Sequence, residues 1–275
     1  MDLINIQGAI LPKKGCADLS FTQDCIDPFD LENPNLWVKI EHLGRYLFAA
    51  DYLRDYRPRR VADIACGMGY GLNELAKIAD FVVAVDRSSE VLKIDDLDWN
   101  TDNHEGQGKI DFHEQDLESL PWSRHLVNSD LDAIISFETL EHLIEPELVI
   151  AQFSQSLNEN GWLICSVPNA LHEPPDRMGL PVNPYHKQLF NFSEFRRLLD
   201  KHSFQVIYRL GQASSNILFK RESQLLKHRS ISQRIGDFSE LHSPAIIRHL
   251  TYLLAYPTVS NIDGSYALIV VARKK

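Results

Sequence analysis

From residue 60 onward, short apolar runs alternate with helix-like segments, and this rhythm constrains the fold more than any other feature of the chain. VADIAC (61–66), FVVAVD (81–86), KIDFHEQD (109–116), LDAIISFE (131–138), GWLICSVPN (161–169), FQVIYRL (204–210) and YALIVVARK (266–274) read as strands. Between them, LNELAKIAD (72–80), SSEVLKIDDLDW (88–99, capped by Ser88), PELVIAQFSQSL (146–157) and SEFRRLLDKH (193–202) read as helices. Strands that are apolar along nearly their whole length are buried on both faces, and alternating them with helices makes a parallel sheet covered on both sides. The expectation is an α/β fold on a mostly parallel seven-stranded sheet.

Two segments stand outside the rhythm. NLWVKIEHLGRYLFAADYLRDY (35–56) carries Leu36, Ile40, Leu43, Leu47 and Ala50 at three- and four-residue spacing, a helix that Pro58 stops. Residues 1–59 thus read as an N-terminal helical cap segment ahead of a domain over 60–275. The other segment is a connection of roughly fifty residues before the last strand, far longer than usual. SQLLKHRSISQRI and PAIIRHLTYLLAY give it helical patterns, so an ordered helical insertion is expected at about 212–262. An extra packing layer, a substrate lid and a homodimer surface all fit it.

Charge and composition remove other classes. The formal net charge is −10, with no block of consecutive Lys or Arg, so phosphate-backbone binding is disfavoured and nucleic acid is not the expected partner. RDYRPRR (54–60), the most basic stretch, reads as a solvated helix end and loop. No apolar run has the length of a membrane span. MDLINIQGAILPKKG lacks the basic start and long apolar stretch of a secretory signal, which points to a cytoplasmic protein. Cys16, Cys25, Cys66 and Cys165 form no CxxC pair, so neither a zinc ribbon nor a disulfide framework is expected.

The strand VADIAC runs straight into GMGYG and then a helix. Gly67, Gly69 and Gly71 permit positive φ and close backbone approach, as a ligand lying across a strand end requires. Asp86 ends the second strand, where a carboxylate can accept both ribose hydroxyls, and Asp116 ends the third. A dinucleotide site for hydride transfer is disfavoured: Asp63 lies within the first strand and a third acid ends the third strand, and neither belongs to that fingerprint.

VADIACGMGYG (61–71) resembles the first motif of the class I S-adenosylmethionine-dependent methyltransferases, V-L-D-x-x-C-G-x-G-x-G, with Met68 departing from the usual acidic or small residue. EHLGRYLFAADYL (41–53), SFETLEHL (136–143), SVPN (166–169), NPYHKQLFNFSEF (183–195) and GQ (211–212) follow the order of a bacterial subgroup, some members of which are encoded with glycan or polysaccharide biosynthesis functions. The resemblance implies a Rossmann-like fold with S-adenosylmethionine as cofactor. It implies that Asp63 positions the loop and the methionine part, that Ala65, Gly67 and Gly69 contact the amino-acid moiety, and that Asp86 binds the ribose. It also implies that Asp116 and Leu117 hold the adenine and that the segment of Glu41, His42, Arg45 and Tyr46 folds over the cofactor; Arg87 and Phe137 are further expected cofactor-binding residues. Arg45 could meet the cofactor carboxylate.

Methyl transfer to a hydroxyl needs an aligned acceptor and removal of a proton. Glu138 ends the fourth strand, Glu141 and His142 follow within one turn, and His186 lies in the loop after the fifth strand. These four suit a divalent cation such as Mg²⁺, Mn²⁺ or Zn²⁺; alternatively His142 or His186 serves as a metal-free general base beside Glu138. E-x-x-E-H followed by H-x-x-x-F-x-x-x-E-F resembles the metal site of the small-RNA 3′-terminal 2′-O-methyltransferases, and E-x-L-E-H alone resembles ubiquinone-type O-methyltransferases. His42, His113 and His172 are weaker candidates, His113 being a structural residue on a strand. The leading expectation is O-methylation of a hydroxyl on a sugar, glycan or other small metabolite. A metal-dependent RNA ribose 2′-O-methyltransferase and a non-catalytic subunit of methyltransferase fold are the alternatives.

Overall fold

The computed structural model describes residues 26–31, 35–87, 108–120, 122, 126, 130–173, 175–212, 239–260 and 262–275. The helix expected over 88–99, the segment SQLLKHRSISQRI, Cys16 and Cys25 lie outside the described residues. The elements are α1 (Leu36–Arg54), β1 (Arg60–Ile64), α2 (Leu72–Ala76), β2 (Phe81–Asp86), β3 (Lys109–Glu114), β4 (Leu131–Phe137), α3 (Pro146–Ser156), β5 (Leu157–Pro168), α4 (Phe192–Lys201), β6 (Phe204–Leu210), α5 (Pro244–Leu250) and β7 (Ala267–Lys274). The seven strands form one sheet in the order β3-β2-β1-β4-β5-β7-β6. β1 to β5 run parallel, and β7 inserts antiparallel between β5 and β6.

The continuous apolar strands have the expected consequence, a core on each face. On one face Ile64, Val83, Ile134 and Leu163 meet Ile150 and Phe153 of α3 and Phe195 and Leu199 of α4. On the other, Val61, Val82, Ile135 and Ile164 meet Ala49 and Leu53 of α1 and Leu72 and Leu75 of α2. α4 starts on a reciprocal cap: Asn191 Oδ1 accepts from Glu194 N at 3.0 Å, and the Glu194 carboxylate accepts from Asn191 N.

α1 is covered on a second side. Leu36, Ile40, Leu43 and Leu47 pack with Ile247 of α5 and Ala255 of the π-helical turn Thr251–Ala255. The buried Lys39 ammonium donates to Asp30 O and meets His242 Nδ1 at 2.9 Å. Arg248 of α5 pairs with Glu74 of α2. The described part of the insertion therefore packs on α1 and reaches α2.

Candidate active site

The glycine loop leaves β1 along a left-handed path. Ala65, Gly67 and Gly69 have φ of 62°, 53° and 73°, the first costly for a residue with a Cβ. Cys66 N donates to Val85 O at 3.0 Å and Gly69 N to Cys66 O at 3.0 Å, which pins the loop to β2. Gly67 N donates to Asp86 Oδ2 at 2.9 Å, so one carboxylate oxygen of Asp86 shapes the loop. Gly71 differs from the expectation for it: its φ is −83°, and what it supplies is room. A Cβ there would stand 2.1 Å from the Tyr46 ring, whereas one on Gly67 would meet no described atom within 4 Å.

Tyr46 brings α1 onto this loop. Its hydroxyl donates to Asp63 Oδ1 at 3.1 Å, and its ring stands edge-on to Tyr70 and Phe137, each 5.1 Å between centroids. Asp63 is fully buried, and its Oδ2 has no hydrogen-bond partner among the described residues. Burial pushes its carboxyl up to about 8; the Tyr46 hydrogen bond opposes that rise and the charge of Asp86 adds to it. One position before Tyr46, Arg45 is 2% exposed, gives its Nε–H to Gln212 Oε1 at 3.0 Å and has no hydrogen bond at Nη1 among the described residues, that atom lying 3.8 Å from Glu138 Oε1. Gln212 also donates to Glu41 O and Ala255 O, each at 2.7 Å. This glutamine joins α1, the end of β6 and the insertion, a role its place in the GQ pair did not disclose.

Asp116 and Leu117 follow β3. Asp116 is exposed, and both of its oxygens accept within its own turn, from Glu118 N at 3.0 Å and Ser119 Oγ at 3.2 Å. Leu117 is buried, and its carbonyl takes the Trp122 Nε1–H at 3.0 Å. Arg87 is exposed just beyond β2, and Phe137 is buried at the end of β4.

The second cluster lies at the carboxyl ends of β4 and β5. Glu138 is left-handed, with φ 49°, and its Oε1 accepts from Ser166 Oγ at 2.6 Å. A 3₁₀ turn, Leu140–His142, then buries Glu141 to 1% exposure with neither carboxylate oxygen hydrogen-bonded among the described residues. Burial, then the neighbouring Glu138 charge, hold the Glu141 carboxyl well above the usual range. Lys187 N and Gln188 N donate to Glu141 O at 2.6 and 3.1 Å, fastening the 183–188 loop to the turn. That contact brings the His186 and His142 rings to 5.0 Å between centroids. His142 Nδ1 is 3.2 Å from Tyr185 O, and His186 Nδ1 is 2.8 Å from Glu173 Oε1. One ligand atom from each of Glu141, His142 and His186 lies within 4.8 Å of the others. Glu138 stands outside that trio. Glu173, which sequence reasoning missed, sits where only the folded loop brings it to His186. His42 meets Tyr70 Oη at 3.1 Å, His113 pairs with Asp111 along β3, and His172 meets Asp263 O.

A 3-2-1-4-5-7-6 sheet with an antiparallel seventh strand and a glycine loop after the first is the Rossmann-like fold of class I methyltransferases. Residues 39–209 match the model of the methyltransferase domain family, and the chain belongs to that family: it is a methyltransferase. A Mycolicibacterium smegmatis relative described as a probable S-adenosylmethionine-dependent methyltransferase is 25% identical over 223 residues, 78% of this chain and 81% of that one. A ubiquinone biosynthesis O-methyltransferase of Dinoroseobacter shibae is 26% identical over 148 residues, 52% of this chain and 55% of that one. The chain likewise spans about half the length of other curated relatives it matches. Among solved structures, an S-adenosylmethionine-dependent methyltransferase from Mesorhizobium loti superposes with TM-score 0.52 at 15% identity, covering 82% of this chain and 96% of that one. Among the described residues, no helix is long and apolar enough to cross a membrane.

Proposed function

We propose that this methyltransferase uses S-adenosylmethionine to O-methylate a hydroxyl on a sugar, glycan or other small metabolite. The observation that carries the cofactor assignment is a pair of buried polar atoms, Asp63 Oδ2 on β1 and Arg45 Nη1 on α1, that have no hydrogen-bond partner among the described residues. Unmet buried polar groups are costly, and a ligand with an ammonium and a carboxylate would satisfy one each. In this reading Asp63 and the backbone of Ala65, Gly67 and Gly69 hold the amino-acid end, with Tyr46 orienting Asp63 and Arg45 meeting the carboxylate. Asp86 and Arg87 take the ribose, and Asp116, Leu117 and Phe137 line the adenine side. The cofactor supplies an electrophilic methyl group.

On the acceptor side, a hydroxyl must give up its proton as it attacks. Glu138, His142 and His186 are the groups assigned to that proton, directly or through a cation at Glu141, His142 and His186. The O-methyltransferase relatives support a hydroxyl acceptor. The imidazole–carboxylate trio also suits an RNA ribose acceptor, but the net charge of −10 weighs against a phosphate backbone.

Calorimetry of the purified protein with S-adenosylmethionine and its demethylated product tests the first half. Asp86→Ala should weaken binding by about 1.5–3 kcal/mol, the worth of hydrogen bonds to a charged group. Wild-type protein that binds neither molecule would sink the cofactor reading. Transfer of a labelled methyl group to a panel of hydroxyl compounds tests the second half; label found only on amines would overturn it.

A further inference from the structure

We infer that the acceptor is an amphiphile, whose reacting hydroxyl meets the His142 and His186 side of the site while a hydrocarbon portion lies on the loop 171–182. The hydroxyl rests on the O-methylation reading; the hydrocarbon portion rests on the loop. Over this stretch Leu171 is 64% exposed, Met178 82%, Leu180 55% and Val182 65%. Apolar residues exposed singly are ordinary on a protein surface. Several gathered on one segment mark a place where an apolar partner binds.

The backbone presents these side chains in a fixed arrangement. Leu171 N donates to Asn169 Oδ1 at 3.1 Å, and Asn169 is itself buried. Asp176 N donates to Leu180 O at 2.8 Å, while Asp176 Oδ1 accepts from Met178 N at 2.8 Å and Leu180 N at 2.9 Å. Gly179 closes this turn with φ 83°, so Met178 and Leu180 flank its tip. The polar neighbours are already engaged: Glu173 with His186, and His172 with Asp263 O.

The position of the loop identifies what covers it. Glu173 lies within it, 2.8 Å from His186 Nδ1, and Lys187 N and Gln188 N bond to Glu141 O just beyond. Ile144, 68% exposed, follows the turn of Glu141 and His142, and its carbonyl accepts from Gln188 Nε2 at 3.2 Å. Apolar surface thus borders the His142 and His186 cluster from both of its segments, and its occupant lies beside the groups assigned to the acceptor's proton. A second copy of the chain or an anionic bilayer meets repulsion from a net charge of −10; an uncharged hydrocarbon chain does not.

The test is calorimetry of the full chain with octyl β-D-glucoside, kept below its critical micelle concentration, and with methyl β-D-glucoside. Each buried methylene is worth roughly a fourfold gain in affinity, so about two or three of them on the loop should make the octyl compound bind about 15–60-fold more tightly. The Met178→Ser, Leu180→Ser double variant should lose most of that preference, with circular dichroism reporting that it is folded. Equal affinities, no binding of either glycoside, or a preference that the double variant retains overturns the inference. Wild-type protein that floats with phosphatidylcholine vesicles, or a dimer that the double variant splits, gives the loop another occupant and also overturns it. The readout is binding, so two failures stay apart. A strong octyl preference with no methyl transfer to any hydroxyl removes the O-methylation reading alone. Methyl transfer to hydroxyls with equal binding of the two glycosides removes this inference alone.

Discussion

Gly71→Ala isolates the contact by which α1 reaches the cofactor loop. Because Gly71 has φ −83°, an alanine there carries no backbone penalty, and the whole effect must come from space. The new Cβ would lie 2.1 Å from two atoms of the Tyr46 ring, more than 1 Å inside ordinary contact, so the ring has to retreat. Overpacking of this kind costs about 1–3 kcal/mol. Retreat also breaks the 3.1 Å bond from Tyr46 Oη to Asp63, worth about 1 kcal/mol for a neutral pair. The expected destabilisation is therefore about 2–4 kcal/mol. Gly67→Ala is the control: open space, φ 53°, and an expected cost of about 1 kcal/mol from backbone alone. Urea denaturation of wild type, Gly71→Ala, Gly67→Ala, Tyr46→Ala and the Gly71→Ala, Tyr46→Ala double variant measures all terms. In the Tyr46→Ala background the cost of Gly71→Ala should nearly vanish, a coupling visible in the double-mutant cycle. Equal costs for the two glycines, or no coupling to Tyr46, would refute the reasoning.

Two further outcomes follow from the buried polar groups. Asp63 is protonated more readily folded, at about 8, than unfolded, at about 4. Its contribution to stability is therefore full below about pH 4 and is lost as pH rises to about 8, so the ligand-free wild type should weaken over that range more than Asp63→Asn does. Identical pH slopes for the two proteins would show that another group is responsible. Gln212→Leu leaves the buried Arg45 Nε and the carbonyls of Glu41 and Ala255 without their partner, and should cost about 3 kcal/mol along with cofactor affinity. A urea midpoint shift worth under about 0.5 kcal/mol would show that water replaces it.

Period and turn chemistry made most of the sheet legible in advance, because apolar runs bounded by breakers have one natural placement. β2 and β6 match their expected limits, 81–86 and 204–210. β1 ends two residues early because Ala65 turns left-handed, a conformation its side chain does not advertise. α2 stops at Ala76, whose carbonyl is taken by Gly108 N, a residue far along the chain. β5 begins at Leu157 without a gap after α3, whereas the sequence pattern runs the helix to 157 and starts the strand at 161; the pairing of Leu157 with Leu131 is what starts it early. In the site, residues carried by contiguous motifs were readable, and the partners that hold them were not. Glu173, Ser166 and Gln212 are ordinary polar residues in the sequence; their meaning comes from long-range contacts that only folding creates.

β7 lies between β5 and β6 in space but is the last of the seven strands to be synthesised. Leu268 to Ala272 are fully buried on arrival, and Leu163, Cys165 and Val167 of β5 wait for them. On the ribosome, the growing chain therefore carries an open apolar strand edge from the moment β5 forms until β7 emerges. Among the described strands, β6 has no neighbour except β7, so it has no place in the sheet during the same interval. Such an edge is a template for pairing with other chains, so slower translation of residues 212–266 lengthens the interval in which β5 can pair wrongly.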